Sequence, residues 1–141
     1  MEDKPAYQTN YSVKKDDFPS AGEVSAAIKG KLKQIGLDPD IIRRIAIASY
    51  EAEINMIIHS LGGGMTLSIY PERIEITCAD KGPGIRDLNL AMQEGYSTAN
   101  EAVREMGFGA GMGLPNIHKN CDKMEVKTAP GGTTIHMLFN I

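Results

Sequence analysis

A chain of 141 residues is the usual size of one domain and can bury a proper core. Hydrophobic residues make up 42% and charged residues 23%, the balance of an ordinary globular protein, and the net charge of −3 argues against a general nucleic-acid binder, which carries a basic patch. No apolar run approaches the ~18–20 residues of a membrane span, and the polar start Met1-Glu2-Asp3-Lys4-Pro5 has no signal-peptide core, so a cytoplasmic protein without membrane or direct nucleic-acid contacts is expected.

Tyr7, Tyr11 and Val13 alternate with Gln8, Asn10 and Ser12, which predicts a short strand at a sheet edge. Ser20-Ala21-Gly22-Glu23 has the form of a capping box and predicts a helix from Ala21 to Ile35, stopped by Gly36. Asp38 as N-cap and Pro39 at the first helical position start a second helix, expected to run to about Leu61. Ile42, Ile45, Ser49, Ala52 and Met56 form its core-facing stripe. Gly62-Gly63-Gly64 ends it. Met65 to Tyr70 and Arg73 to Ala79 then read as a hairpin around Pro71-Glu72.

Asp80 to Met112 changes texture, with many glycines and only a weak helical patch near Leu88 to Met92. A segment of ~30 residues with little regular structure is often a functional lid. Leu114 to about Cys121 reads as a helix with Pro115 in its first turn. Lys123 to Ala129 and Thr133 to Asn140 form a closing hairpin across Pro130-Gly131-Gly132. The order predicts one domain over residues 1–141: a two-layer α/β sandwich, with a mixed, mostly antiparallel sheet and helices on one face. Cys78 and Cys121 lack metal-ligand spacing and read as reduced thiols rather than a disulfide.

Four stretches carry possible chemistry. Gly107-Phe108-Gly109-Ala110-Gly111-Met112-Gly113-Leu114 is either a flexible loop or a backbone cradle for phosphate ahead of a helix N-terminus. Glu51 and Asn55 lie one turn apart on the second helix. They are either polar groups wetted on the helix surface or a pair in which Asn55 offers a neutral oxygen to Mg²⁺ and Glu51 orients or deprotonates a nucleophile. Asp80-Lys81-Gly82-Pro83-Gly84-Ile85 is either a plain turn or a strand-end carboxylate that accepts a hydrogen bond from an exocyclic amine. Thr133 opens the last strand and is either an ordinary turn threonine or a further contact to the same base. His59, Lys81 and the lysines 29, 31 and 33 read as local packing or wetted surface.

The combination is more specific than its parts. Glu51-Ala52-Glu53-Ile54-Asn55 with His59-Ser60, then Asp80-x-Gly-x-Gly84-Ile85, then Gly109-x-Gly-Met-Gly-Leu114, resembles the N-box and two glycine boxes of the GHKL, or Bergerat-fold, ATPases. That fold is shared by gyrase, Hsp90, histidine kinases and MutL. The resemblance covers about Tyr7 to Asn140. The sequence shows no phosphoacceptor helix pair ahead of this domain, which is similar to the stand-alone anti-sigma factors and switch kinases of bacterial partner switching.

The resemblance implies ATP and Mg²⁺ as cofactors and a lid over about residues 81–112. It implies Glu51 as general base, Asn55 as Mg²⁺ ligand and Asp80 as the adenine-reading carboxylate. Gly82, Gly84 and Ile85 would line the base pocket. Gly107, Gly109, Ala110, Gly111, Met112, Gly113 and Leu114 would surround the phosphates, with Thr133 an adenine contact. Some anti-sigma kinases carry a lid arginine where this chain has Gly109. Two functions follow from the resemblance. One is a serine/threonine protein kinase acting on an anti-anti-sigma, STAS-type protein. The other is a nucleotide-gated binding module that captures a regulator such as a sigma factor or phosphatase. The anti-sigma branch also implies a homodimer.

Overall fold

The computed structural model describes residues 4–82, 92 and 113–141. The expected helical patch at 88–92, apart from Met92, and the glycine run up to Met112 lie outside the described residues. Five strands make one sheet: β1 (Tyr7–Val13), β2 (Gly63–Ile69), β3 (Arg73–Asp80), β4 (Lys123–Ala129) and β5 (Gly132–Asn140). Their order is β1-β2-β3-β5-β4. Every neighbouring pair is antiparallel, where a mixed sheet was expected. The reason is topological. β4 runs in the same direction as β3, but β5 inserts between them, so no parallel contact forms. Between β1 and β2 the chain makes two helices whose reversals cancel, which brings Gly63 back beside Val13.

Period-two alternation gives the sheet one apolar face. Met65, Leu67 and Ile69 of β2, Ile74, Ile76 and Cys78 of β3, and Ile135, Met137 and Phe139 of β5 are buried. The opposite face is polar, with the Glu75 carboxylate between Arg73 Nε at 2.9 Å and His136 Nε2 at 2.6 Å.

Three helices are described: α1 (Glu23–Gln34), α2 (Pro39–His59) and α3 (Gly113–Asn120). α2 packs against both of the others. Among the described residues, no helix is long and apolar enough to cross a membrane. α2 starts as expected, since the Asp38 side chain accepts the Asp40 N–H at 2.8 Å and Pro39 follows the cap. Ile42, Ile45, Ala48, Ala52, Met56 and Ile57 bury its inner face. Ser49 lies in the same stripe and donates its hydroxyl back to the Ile45 carbonyl at 2.5 Å, so no buried polar group is orphaned there. α2 ends at His59 rather than Leu61, because the Ser60 hydroxyl donates to the Met56 carbonyl and accepts the Gly62 N–H.

The start of α1 corrects the sequence reading. Ser20 does not cap it. It closes a 3-10 turn over Phe18–Ser20, and the N-cap is Gly22, in the left-handed region at φ 94° with no side-chain cap of its own. The cap comes instead from α2. Glu53 is 2% exposed, and its carboxylate accepts the N–H groups of Gly22 (3.1 Å), Val24 (3.2 Å) and Ser25 (3.0 Å). A helix N-terminus presents such donors without intrahelical partners, and its dipole favours an acidic group.

Removing a buried acceptor exposes the full desolvation penalty of its donors, about 1–3 kcal/mol for each group left unpaired. Glu53→Ala is therefore expected to lower unfolding stability by about 3 kcal/mol, and Glu53→Gln by less, since the amide keeps one acceptor oxygen. Urea denaturation of the two variants checks this, and an unchanged midpoint in Glu53→Ala would remove the cap from the account.

Candidate functional site

The site is built where the end of α2 meets the end of β3. The Leu61 N–H donates to the Lys81 carbonyl at 2.7 Å, and the Lys81 N–H donates to the Gly62 carbonyl at 3.0 Å. These bonds extend the β2–β3 ladder past Gly63 and hold Asp80 beside the helix terminus. β2 begins at Gly63 rather than Met65 because backbone packs onto that glycine. A Cβ there would meet the Ala79 carbonyl oxygen, and would lie 2.7 Å from Asp80 Cα and 2.8 Å from Met56 Cε. Gly132 is similarly constrained, since a Cβ there would collide with the Asp80 carbonyl. Gly82 donates its N–H to the Gly131 carbonyl at 3.4 Å and keeps its backbone against Ser60. Glycines from three segments thus let the chain close around Asp80.

Asp80 and Thr133, named separately from the sequence, are brought together. Asp80 Oδ1 accepts the Thr133 N–H at 3.0 Å. The Thr133 side chain is buried, and its hydroxyl lies 2.9 Å from that of Thr128. Burial pushes the Asp80 carboxyl above the usual aspartate value, and the Thr133 N–H opposes that shift. Cys78, two residues earlier, is buried and its thiol is pushed up to about 12 by desolvation, which removes it as a nucleophile at neutral pH. Cys78 and Cys121 are both free thiols.

Glu51 and Asn55 are half-buried and one turn apart on α2. Glu51 faces α3, where its Oε1 accepts a hydrogen bond from Asn116 Nδ2 at 3.2 Å. The first turn of α3 is therefore docked beside Glu51. Leu114 points its bulk into the core, so any contact it makes to a ligand falls to its backbone. Gly113 begins α3. Gly84, Ile85, Gly107, Gly109, Ala110, Gly111 and Met112 lie outside the described residues.

Two residues of consequence were missed by sequence reasoning. Glu53 carries a signal, because it is a carboxylate set between Ala52 and Met56 on the core side of an amphipathic helix. Asn116 carries almost none, since a polar residue in a helix's first turn is ordinary.

A family model described as the histidine kinase-like ATPase domain matches residues 17–139. The chain belongs to this family. An anti-sigma F factor of Thermoanaerobacter sp. (strain X514) is 33% identical to it, over 97% of this chain and 94% of that protein. The serine/threonine-protein kinase RsbT of Bacillus subtilis (strain 168) is 27% identical, over 75% of this chain and 77% of that protein. The solved structure of the RsbU and RsbW domains of Rv1364c from Mycobacterium tuberculosis superposes with a TM-score of 0.65 at 18% identity. It covers 96% of this chain, which spans 32% of that longer one, and shows the same α/β fold.

ATP binding follows from membership of the histidine kinase-like ATPase family, and the residues present fit an adenine nucleotide. A carboxylate fixed by a backbone N–H stands at a strand end, with glycines that admit close approach. The first turn of α3 stands beside a second carboxylate, Glu51, which lies one helical turn from the carboxamide of Asn55.

Because the folded-state pKa of Asp80 is raised, the folded protein holds the proton to higher pH than the unfolded chain does. Stability associated with Asp80 is full below the ordinary carboxylate value near ~4 and falls as pH rises through the raised folded value. Asp80→Asn keeps an acceptor for the Thr133 N–H and lacks this loss. Its urea midpoint, relative to the unsubstituted chain, is expected to rise between acidic and neutral pH, and a constant difference across that range would contradict the shift.

Proposed function

We propose that the chain is an ATP-dependent serine/threonine protein kinase of the anti-sigma, partner-switching type. It passes the γ-phosphoryl group to a serine or threonine of an anti-anti-sigma, STAS-type protein in the cytoplasm. The observation that carries this reading is the docking of the α3 N-terminus beside Glu51, through the 3.2 Å bond from Asn116. A helix N-terminus suits phosphate, and a carboxylate next to it suits an acceptor hydroxyl. The names of the relatives support the same reaction class.

ATP supplies the transferable phosphoryl group and the charge that the site must neutralise. Asp80 would accept a hydrogen bond from the adenine amine, with its other oxygen held by the Thr133 N–H. Gly82 would lie along the base. Asn55 would hold Mg²⁺ through its side-chain oxygen. Mg²⁺ commonly keeps several waters and takes substrate phosphates as ligands, so one protein oxygen there is chemically reasonable. Glu51 would accept the hydroxyl proton at Oε2, because Oε1 is engaged by Asn116. Phosphoryl transfer is mainly positioning and charge stabilisation, so this short set is chemically sufficient.

Transfer from radiolabelled ATP to a purified STAS-domain protein tests the reading. Glu51→Ala is expected to reduce transfer by about 10²-fold or more while ATP affinity, measured by calorimetry, stays within about twofold. A Glu51→Ala protein that transfers at the normal rate would remove Glu51 from the mechanism. Nucleotide binding with no transfer by the unsubstituted chain would favour the nucleotide-gated binding module.

A further inference from the structure

Polar bonds join α2 to α3 at two rungs among the described residues. In the first, Asn116 Nδ2 donates to Glu51 Oε1 at 3.2 Å. In the second, Arg44 Nε donates to the Asn120 carbonyl at 3.1 Å, and Arg44 also bonds Asp122 Oδ1 at 3.2 Å. Asp122 is tied to the sheet in turn, since its Oδ2 accepts the Asn140 N–H at 2.7 Å. Within α3, Asn120 Nδ2 donates to the Asn116 carbonyl at 2.8 Å, so both rungs are referred to one helix backbone.

The second rung is a helix C-terminus closed by a guanidinium, which is a structural feature. The first rung has different chemistry. Its acceptor is a half-buried carboxylate on α2, and its donor is a neutral amide from the turn that opens α3. A neutral donor orients the carboxylate by a hydrogen bond without forming an ion pair with it. Among the described residues Oε1 alone is engaged, which leaves Oε2 to receive a proton.

Resting on the kinase reading above, we propose that Asn116 is a positioning residue for Glu51. It holds the carboxylate in the orientation that accepts the hydroxyl proton, and it makes that orientation depend on α3 being seated. The base is then set by the same helix whose N-terminus would receive phosphate.

The experiment compares Asn116→Ala, Asn116→Asp and Glu51→Gln with the unsubstituted full chain. Asn116→Asp is the informative variant. It is isosteric, and an acidic residue in a helix's first turn is favourable, so the start of α3 itself tolerates it. The contact to Glu51 does not, because the donor becomes a second acceptor facing that carboxylate. Transfer from Mg·ATP to a STAS-domain protein is expected to fall about tenfold in Asn116→Ala, with ATP and ADP affinities within twofold, and to fall further in Asn116→Asp. In the nucleotide-free protein, the side-chain amide resonances of Asn116 are expected to shift in Glu51→Gln, which reports the bond independently of activity. Wild-type transfer by both Asn116 variants beside an impaired Glu51→Gln would overturn the proposal. An Asn116 amide indifferent to Glu51→Gln would overturn it as well. If Glu51→Gln itself transfers normally, the base assignment falls and the positioning role falls with it, whereas a shifted amide in that case would show that the bond forms and only its catalytic meaning was wrong.

Discussion

The helical layer depends on two glutamates of α2 that point away from each other. Glu51 and Glu53 are two residues apart, which is about 200° around a helix turning 100° per residue. Glu53 reaches α1 and accepts three of its N-terminal N–H groups. Glu51 reaches α3 and accepts the Asn116 amide. One short piece of sequence therefore fixes the helix on either side of it. The two carboxylates differ in setting as well as direction. Glu53 is sealed in the interior, where its donors hold it, whereas Glu51 stays half-buried.

The sheet contributes rigidity at the other end of the site. β3 lies between β2 and β5, and the backbone bonds of Leu61, Gly62 and Lys81 prolong that pairing beyond the strand end. Asp80 is thus carried on an interior strand rather than a loop. A carboxylate mounted this way needs little reorganisation when a ligand arrives, which is the arrangement that preorganised recognition requires. Burial of Cys78 behind it keeps the neighbouring thiol protonated and chemically quiet.

Much of this was legible in the chain, because much of it is local. The period-two stretches, the Asp38-Pro39 start of α2 and the apolar stripe from Ile42 to Met56 each announce themselves within a few residues, and the elements follow. The resemblance of the N-box and first glycine box picked out Asp80 and Glu51, and the structure sets Asp80 at the end of β3 beside β5 and Glu51 within α2 on the side that meets α3. What failed was non-local. Ser20 satisfies the spacing of a capping box, yet the acceptor that α1 uses is 29 residues away from Val24. Spacing rules cannot rank a nearby hydroxyl against a distant carboxylate. The place of β5 between β3 and β4, which makes the sheet wholly antiparallel, is likewise a matter of pairing partners rather than of pattern. Asn116 was passed over because its significance lies in what α2 presents to it.

The bond between Asp80 and residue 133 comes from a main-chain N–H, not from the threonine side chain. Substitution at 133 can therefore change the residue without touching that donor, provided it is not proline. A single-residue insertion or deletion in the turn at Pro130 to Gly132 cannot be absorbed so easily. It would slip β5 by one position against β3, turn its apolar face outward and present a different N–H to Asp80. Across related sequences, the length of this short turn should accordingly be held more strictly than its composition.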